Sequence, residues 1–135
     1  MSWDLDSHTT TNNLELGITE IDVKNILEMF YERAFDDALI CHFFMGRDKK
    51  ALIEKQLSFT VGLLGGPKNY TGKSLPAAHF PLKIRKPHFM RRRVLMHECM
   101  LACGLTEIQA IHWLEKEDNL RPAILSGAIA TKQKD

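Results

Sequence analysis

The sequence predicts an all-α protein, and three observations carry the prediction. Apolar residues recur at three- and four-residue spacing in four separate stretches. Two of those stretches open on the pattern of a capping box, Thr19 with Asp22 and Thr106 with Gln109. No run alternates apolar and polar residues as a half-buried strand does.

Composition bounds the rest. The chain has 135 residues, the size of one domain. Hydrophobic residues make up 44% and charged residues 26%, which excludes a disordered or fibrous protein. A net charge of +1 argues against a nucleic-acid or membrane-surface binder. No apolar run reaches the roughly eighteen residues of a membrane span. The opening MSWDLDSHTTTNN has neither the basic region nor the apolar core of a secretory signal. A cytoplasmic location is expected. The cysteines, Cys41, Cys99 and Cys103, are odd in number, and helical neighbours four apart seldom meet disulfide geometry. Three reduced thiols are expected.

Taken in order, residues 1–17 are a polar extension. Behind Thr19, the residues Val23, Ile26, Leu27, Phe30 and Ala34 predict a helix to about Phe35. A short apolar piece over residues 38–46 ends at Gly46. A second long helix starts near Asp48, with Leu52, Gln56, Phe59 and Leu63 on one stripe and Ile53, Leu57 and Thr60 widening it. Gly65-Gly66-Pro67 stops it. Residues 65–87 hold four prolines and three glycines, and so form a long irregular connection of the sort that often carries function. Pro87 suits a helix start. The helix runs through Phe89 to Cys103 and ends at Gly104. The last helix follows Thr106 through Ile111 and Leu114, and Pro122 kinks or restarts it. Residues 129–135 are a polar tail.

Three features invite a functional reading. Residues 67–74 are a near miss to a phosphate-binding loop. However, Pro67 stands where that loop needs glycine, and Pro76 and Pro81 forbid the long helix that should follow. The match is coincidental. Arg91-Arg92-Arg93 spans about 200° of helix arc, so the three cannot share one solvated face. Arg92 lies on the stripe of Phe89, Met96, Cys99 and Cys103. It either snorkels or points a charge into a pocket. None of the six histidines has a zinc-type partner at close spacing. His79, inside the irregular connection, is a ligand candidate only by its setting.

Read in order, a set of motifs resembles the truncated haemoglobin family, group I. These are Phe30-Tyr31-Glu32, the pair Phe43-Phe44, Gln56, the run from Leu63 to Gly72 with its Gly-Gly-Pro and Tyr-x-Gly elements, Ala78-His79, and Pro87-His88-Phe89. The spacing fits without gaps from Phe30 to about Gly104, and the resemblance covers residues 18–128. It implies a truncated globin fold, a two-over-two helical sandwich around haem. Two positions depart from the family pattern. Ile18-Thr19 stands where a glycine pair is usual, and Arg92 occupies a pocket position that is usually apolar or aromatic.

The resemblance implies haem b with His79 on the iron, the other ring nitrogen donating to a backbone carbonyl. The link is expected to be non-covalent, because Asn119 stands where a covalently linked subset carries histidine. Tyr31 and Gln56 would donate hydrogen bonds to a bound ligand. Arg92, outside the family pattern, would reach either the distal pocket as a third donor or a propionate. Phe44 would pack against the porphyrin, Leu52 over the haem edge and Phe59 deeper in the pocket, with Phe89 also lining the cofactor site. Lys55, Tyr70, Arg85 and His88 would meet its propionates. The implied ligands are dioxygen, nitric oxide or peroxide. The implied partner is an unidentified reductase, and the protein would be a monomer or weak dimer. The implied activity is binding of diatomic gases, with oxidation of nitric oxide to nitrate as its enzymatic form. A peroxidase-like enzyme and a gas or redox sensor are the alternatives.

Overall fold

The first long helix, α1, spans Glu20–Ala34 in a computed structural model that describes residues 13–70, 72, 74 and 83–125. His79 and its neighbours at 75–82, residues 1–12 and the 129–135 tail lie outside the described residues. The capping box of α1 forms as expected. The Asp22 N–H donates to Thr19 Oγ1 at 3.0 Å, and the Thr19 N–H donates back to Asp22 Oδ2 at 2.9 Å. The stripe Val23, Ile26, Leu27, Phe30 and Ala34 is buried, and Tyr31 with it. A 3-10 turn at Glu15–Gly17 precedes the helix and sets Leu14 and Ile18 into the same core.

A second 3-10 turn, Cys41–Phe43, forms the corner. Helix α2, Lys49–Leu63, is capped by Asp48, whose carboxylate accepts from the N–H groups of Lys50 and Ala51. Its end explains the two glycines. Gly65 takes φ +94°, and the Gly65 and Gly66 N–H groups bond back to Gly62 and Val61. A Cβ on Gly66 would come within 2.7 Å of Val61 Cγ1 and 2.8 Å of Leu14 Cδ2. The first glycine therefore meets a backbone demand and the second a demand for space.

Helix α3, Lys86–Ala102, carries Pro87 in its first turn, where no intrahelical N–H is needed. Gly104, at φ +100°, closes it. The Gly104 N–H reaches Leu101, and the Leu105 N–H reaches Met100. Helix α4, Glu107–Asp118, follows the Thr106–Gln109 capping box, and a further helical turn covers residues 121–125 beyond a break. No strand occurs among the described residues, only an isolated bridge between Asn13 and Thr19. The all-α expectation holds.

Helix α1 packs on α2 and α3, and α3 packs on α4. Trp113, Phe30, Ile26, Leu27, Met96 and Met100 are fully buried between them. Each large side chain contributes about 1.5–3 kcal/mol by leaving water. Cys99 is buried among them, and all three cysteines are free thiols. The arginine triplet fans out as its arc requires. Arg91 pairs with Asp37 at 2.7 Å, Arg92 with Glu117 at 2.6 Å and Arg93 with Asp118 at 3.0 Å. The α2 stripe behaves differently from a core stripe. Leu52, Gln56 and Phe59 are only partly buried, because that row borders an internal cavity.

Candidate functional site

The cavity measures about 470 Å³, within the range of small-molecule and cofactor sites. Tyr31 comes from the last turn of α1, Phe44 from the corner, and Leu52, Lys55, Gln56 and Phe59 from α2. Tyr70 comes from the connection after α2, and His88, Phe89 and Arg92 from α3. Helical spacing produces this convergence. Leu52, Gln56 and Phe59 recur every three or four residues and so share one face. His88 and Arg92 are likewise one turn apart.

Aromatic rings make up much of the wall. Tyr31 meets Phe30 and Phe44 edge to face, with centroids 5.1 and 5.7 Å apart, and Phe35 stacks on Phe44 at 5.3 Å. Phe59 meets Tyr70 edge-on at 5.4 Å, and Phe43 meets His88 at 4.9 Å. A Cβ on Gly72 would collide with the Tyr70 ring, so that glycine leaves room for it. Among the described residues, Arg47, Lys55 and Arg92 border the cavity against one carboxylate, Glu117, so the described wall is positive on balance.

The polar groups are in distinct states. The Tyr31 hydroxyl has no hydrogen-bond partner among the described residues, although the residue is only 7% exposed. Burial pushes its pKa up, with the Arg92 charge pulling the other way. The Gln56 amide donates to Thr60 Oγ1 at 3.0 Å, one turn along α2. His88 Nδ1 accepts the backbone N–H of Arg85 at 3.0 Å. Burial lowers the His88 pKa, and His42 and Arg85 lower it further, which favours the neutral ring.

Arg92 does point into the pocket, but not as a lone charge. Its Nη1 and Nη2 donate to Glu117 Oε1 and Oε2 at 2.6 and 3.2 Å. Burial alone would lower its pKa. The Glu117 charge and hydrogen bonds more than offset this and raise it. Arg85, also in the expected set, is exposed at the start of α3 and lies outside the cavity wall, and its N–H serves the cap. Sequence reasoning missed Glu117 and Trp113. The available signal was their four-residue spacing on one helix, with an acidic pair, Glu117-Asp118, to match two of the arginines.

Aromatic and aliphatic walls with a cationic surplus suit a large flat apolar molecule that carries negative charge at its edge. Haem, flat and apolar with carboxylates at one edge, is a molecule of that kind. Among the described residues, no group of three or more His, Cys, Asp or Glu side chains could hold a metal ion. No described helix is long and apolar enough to cross a membrane.

Comparison with known proteins agrees with this geometry. The family model for the bacterial-like globins matches residues 15–126. A group 1 truncated hemoglobin from Tetrahymena pyriformis is 33% identical over 67 residues, a stretch covering 50% of this chain and 55%, about half, of that protein's length. The group 1 truncated hemoglobin GlbN of Nostoc sp. (strain MUN 8820) is 27% identical over 108 residues, covering 77% of this chain and 88% of the relative. Among solved structures, the Fe(III) form of truncated hemoglobin from Tetrahymena pyriformis superposes with a TM-score of 0.73 at 25% identity, covering 76% of this chain and 88% of the other. The 2/2 hemoglobin from Synechococcus sp. PCC 7002, with covalently attached heme, gives 0.75 at 19% identity, covering 80% and 93%; at that identity the likeness concerns the fold.

Proposed function

The chain belongs to the bacterial-like globin family, and from that membership we propose that it holds one non-covalent haem b in the cavity and binds dioxygen and related diatomic gases there. The observation that carries the reading is the cavity itself: aromatic walls, a cationic surplus, and a Tyr31 hydroxyl at the cavity with no hydrogen-bond partner among the described residues. His79 holds the iron in this reading. Haem supplies an open iron position for a gas molecule.

The residues around that position do the rest. Tyr31 donates its proton towards the ligand without breaking any existing bond. Gln56 spends one amide N–H on Thr60 Oγ1, and its second amide N–H serves the ligand as the second donor. Leu52, Phe44, Phe59 and Phe89 keep water away from the ring faces. Lys55, Tyr70 and His88 stand at its edge, where propionates would lie. Arg85 reaches them only from outside the wall. Asn119, an exposed amide at the end of α4, offers no imidazole for a covalent link. Oxidation of nitric oxide to nitrate is the proposed reaction, with a reductase to restore the iron. Peroxide turnover is the second reading, favoured by the Arg92 guanidinium in the wall.

The test is haem uptake. Added haem should give the purified protein a strong Soret band, and His79→Ala should abolish or disorder it. A chain that stays colourless in excess haem overturns the proposal. Stopped-flow mixing of the oxygenated protein with nitric oxide then separates dioxygenation from peroxide chemistry.

A further inference from the structure

The wall beside Tyr31 contains a charge pair that packing does not require. Buried ion pairs are often no more stabilising than apolar residues of the same volume. Here the pair is braced on three sides. Glu117 takes the fork of Arg92 through both oxygens, at 2.6 and 3.2 Å. Trp113, one turn earlier on α4, donates its indole N–H to Glu117 Oε2 at 3.0 Å. The Arg92 guanidinium also lies over the Phe30 ring, with Cζ 5.3 Å from the centroid.

The donor count decides what is left over. Both carboxylate oxygens of Glu117 are engaged, and Trp113 is fully buried. An arginine carries five N–H groups in a rigid fork, and the recorded hydrogen bonds use two of its nitrogens on Glu117. Its side chain is still 27% exposed, and that surface borders the cavity. Among the described residues, N–H groups of Arg92 therefore remain unspent near the equally unspent Tyr31 hydroxyl.

We propose that Glu117 and Trp113 are positioning residues that hold the Arg92 guanidinium in the ligand cavity, and that this makes the cavity select negatively charged ligands over neutral ones. The inference rests on the haem reading above. A fixed guanidinium keeps its donors aimed without reordering when a ligand arrives. A mobile one loses that advantage. Lysine retains the charge but not the fork.

The test is equilibrium titration of the ferric, haem-loaded protein with azide and with imidazole, read in the Soret band. Arg92→Leu should weaken azide about tenfold or more, as the loss of a charge-assisted hydrogen bond does, and leave imidazole within twofold. Arg92→Lys should fall between. Glu117→Leu should lower the azide-to-imidazole preference, and Glu117→Asp, which keeps the carboxylate, should restore most of it. The double variant Arg92→Leu with Glu117→Leu removes both charges together, leaves neither unpaired, and should match Arg92→Leu. It keeps the test available if a single variant does not fold. Unchanged azide affinity in the arginine variants overturns the selectivity. A rise in azide affinity with Glu117→Leu overturns the positioning role, since Glu117 would then only be masking the charge. A wild-type chain that takes up no haem overturns the earlier reading and this one with it, whereas a red protein with equal azide binding in all variants overturns this one alone.

Discussion

Replacing Tyr31 with phenylalanine separates a ligand donor from a structural tyrosine. The ring sits against Phe30, Phe44 and Phe35 with centroids at 5.1, 5.7 and 6.5 Å, and phenylalanine keeps all three contacts. The hydroxyl has no partner among the described residues, so its removal orphans no other group. Stability should therefore move by no more than about 0.5 kcal/mol, as at sites without such features. The ligand loses one hydrogen bond, worth about 1.5 kcal/mol when the acceptor carries partial charge. That converts to roughly a tenfold faster oxygen off-rate. The assay is oxygen displacement by carbon monoxide from the reduced, haem-loaded protein in a stopped-flow instrument, with urea unfolding as the control. An off-rate within twofold of wild type would refute the donor role. So would a stability loss above about 1 kcal/mol, which would mean the hydroxyl has a structural partner. The pH dependence adds a second check. Burial raises the Tyr31 pKa in the folded state, so the folded protein holds this proton more tightly than the unfolded chain. The donor should persist to at least about pH 10, the ordinary tyrosine value. Tyr31's contribution to stability is present below that pH and is lost as pH rises through the folded value.

Two further substitutions test the frame around the site. Gly66→Ala puts a methyl 2.7 Å from Val61 Cγ1 and 2.8 Å from Leu14 Cδ2. It should cost about 1–3 kcal/mol in urea unfolding, and a neutral result would show that this turn has slack. Asp37 has its carboxyl pKa held down first by the Arg91 hydrogen bond. Its contribution is present above the unfolded value near pH 4 and is lost as pH falls through the lower folded one. Asp37→Asn should therefore flatten the acid side of the melting-temperature profile, and added salt should do part of the same, since Arg91 is 39% exposed. An unaltered acid limb would contradict the pairing.

Local grammar was legible in the sequence, and long-range pairing was not. Thr19, Asp48, Thr106 and Gly104 each act within a few residues, and each sits where its chemistry predicts. The family resemblance, more than periodicity, singled out Tyr31, Gln56, Phe59 and Arg92, and all four line one cavity. Glu117 was overlooked because its partner is 25 residues away on another helix. Its spacing from Trp113 and its acidic neighbour Asp118 were only faint local signals. Arg85, at the N-cap of α3, lies outside the cavity wall, which its closeness in sequence to cavity residues could not show. The bond of Gln56 to Thr60 shows a third limit. Residue type reveals what a side chain can donate, but only the fold shows which acceptor has already claimed it.

The consecutive rungs Arg92–Glu117 and Arg93–Asp118 also act as a two-toothed key between α3 and α4. Neighbouring residues on a helix point about 100° apart, so two adjacent pairs can close together at only one rotation and one axial setting. A one-residue slip of α4 would leave Arg93 facing Glu117 and Arg92 facing a lysine, Lys116. The key thus sets how α4 closes the cavity. Grafting this helix from a relative would demand that both teeth be carried across together.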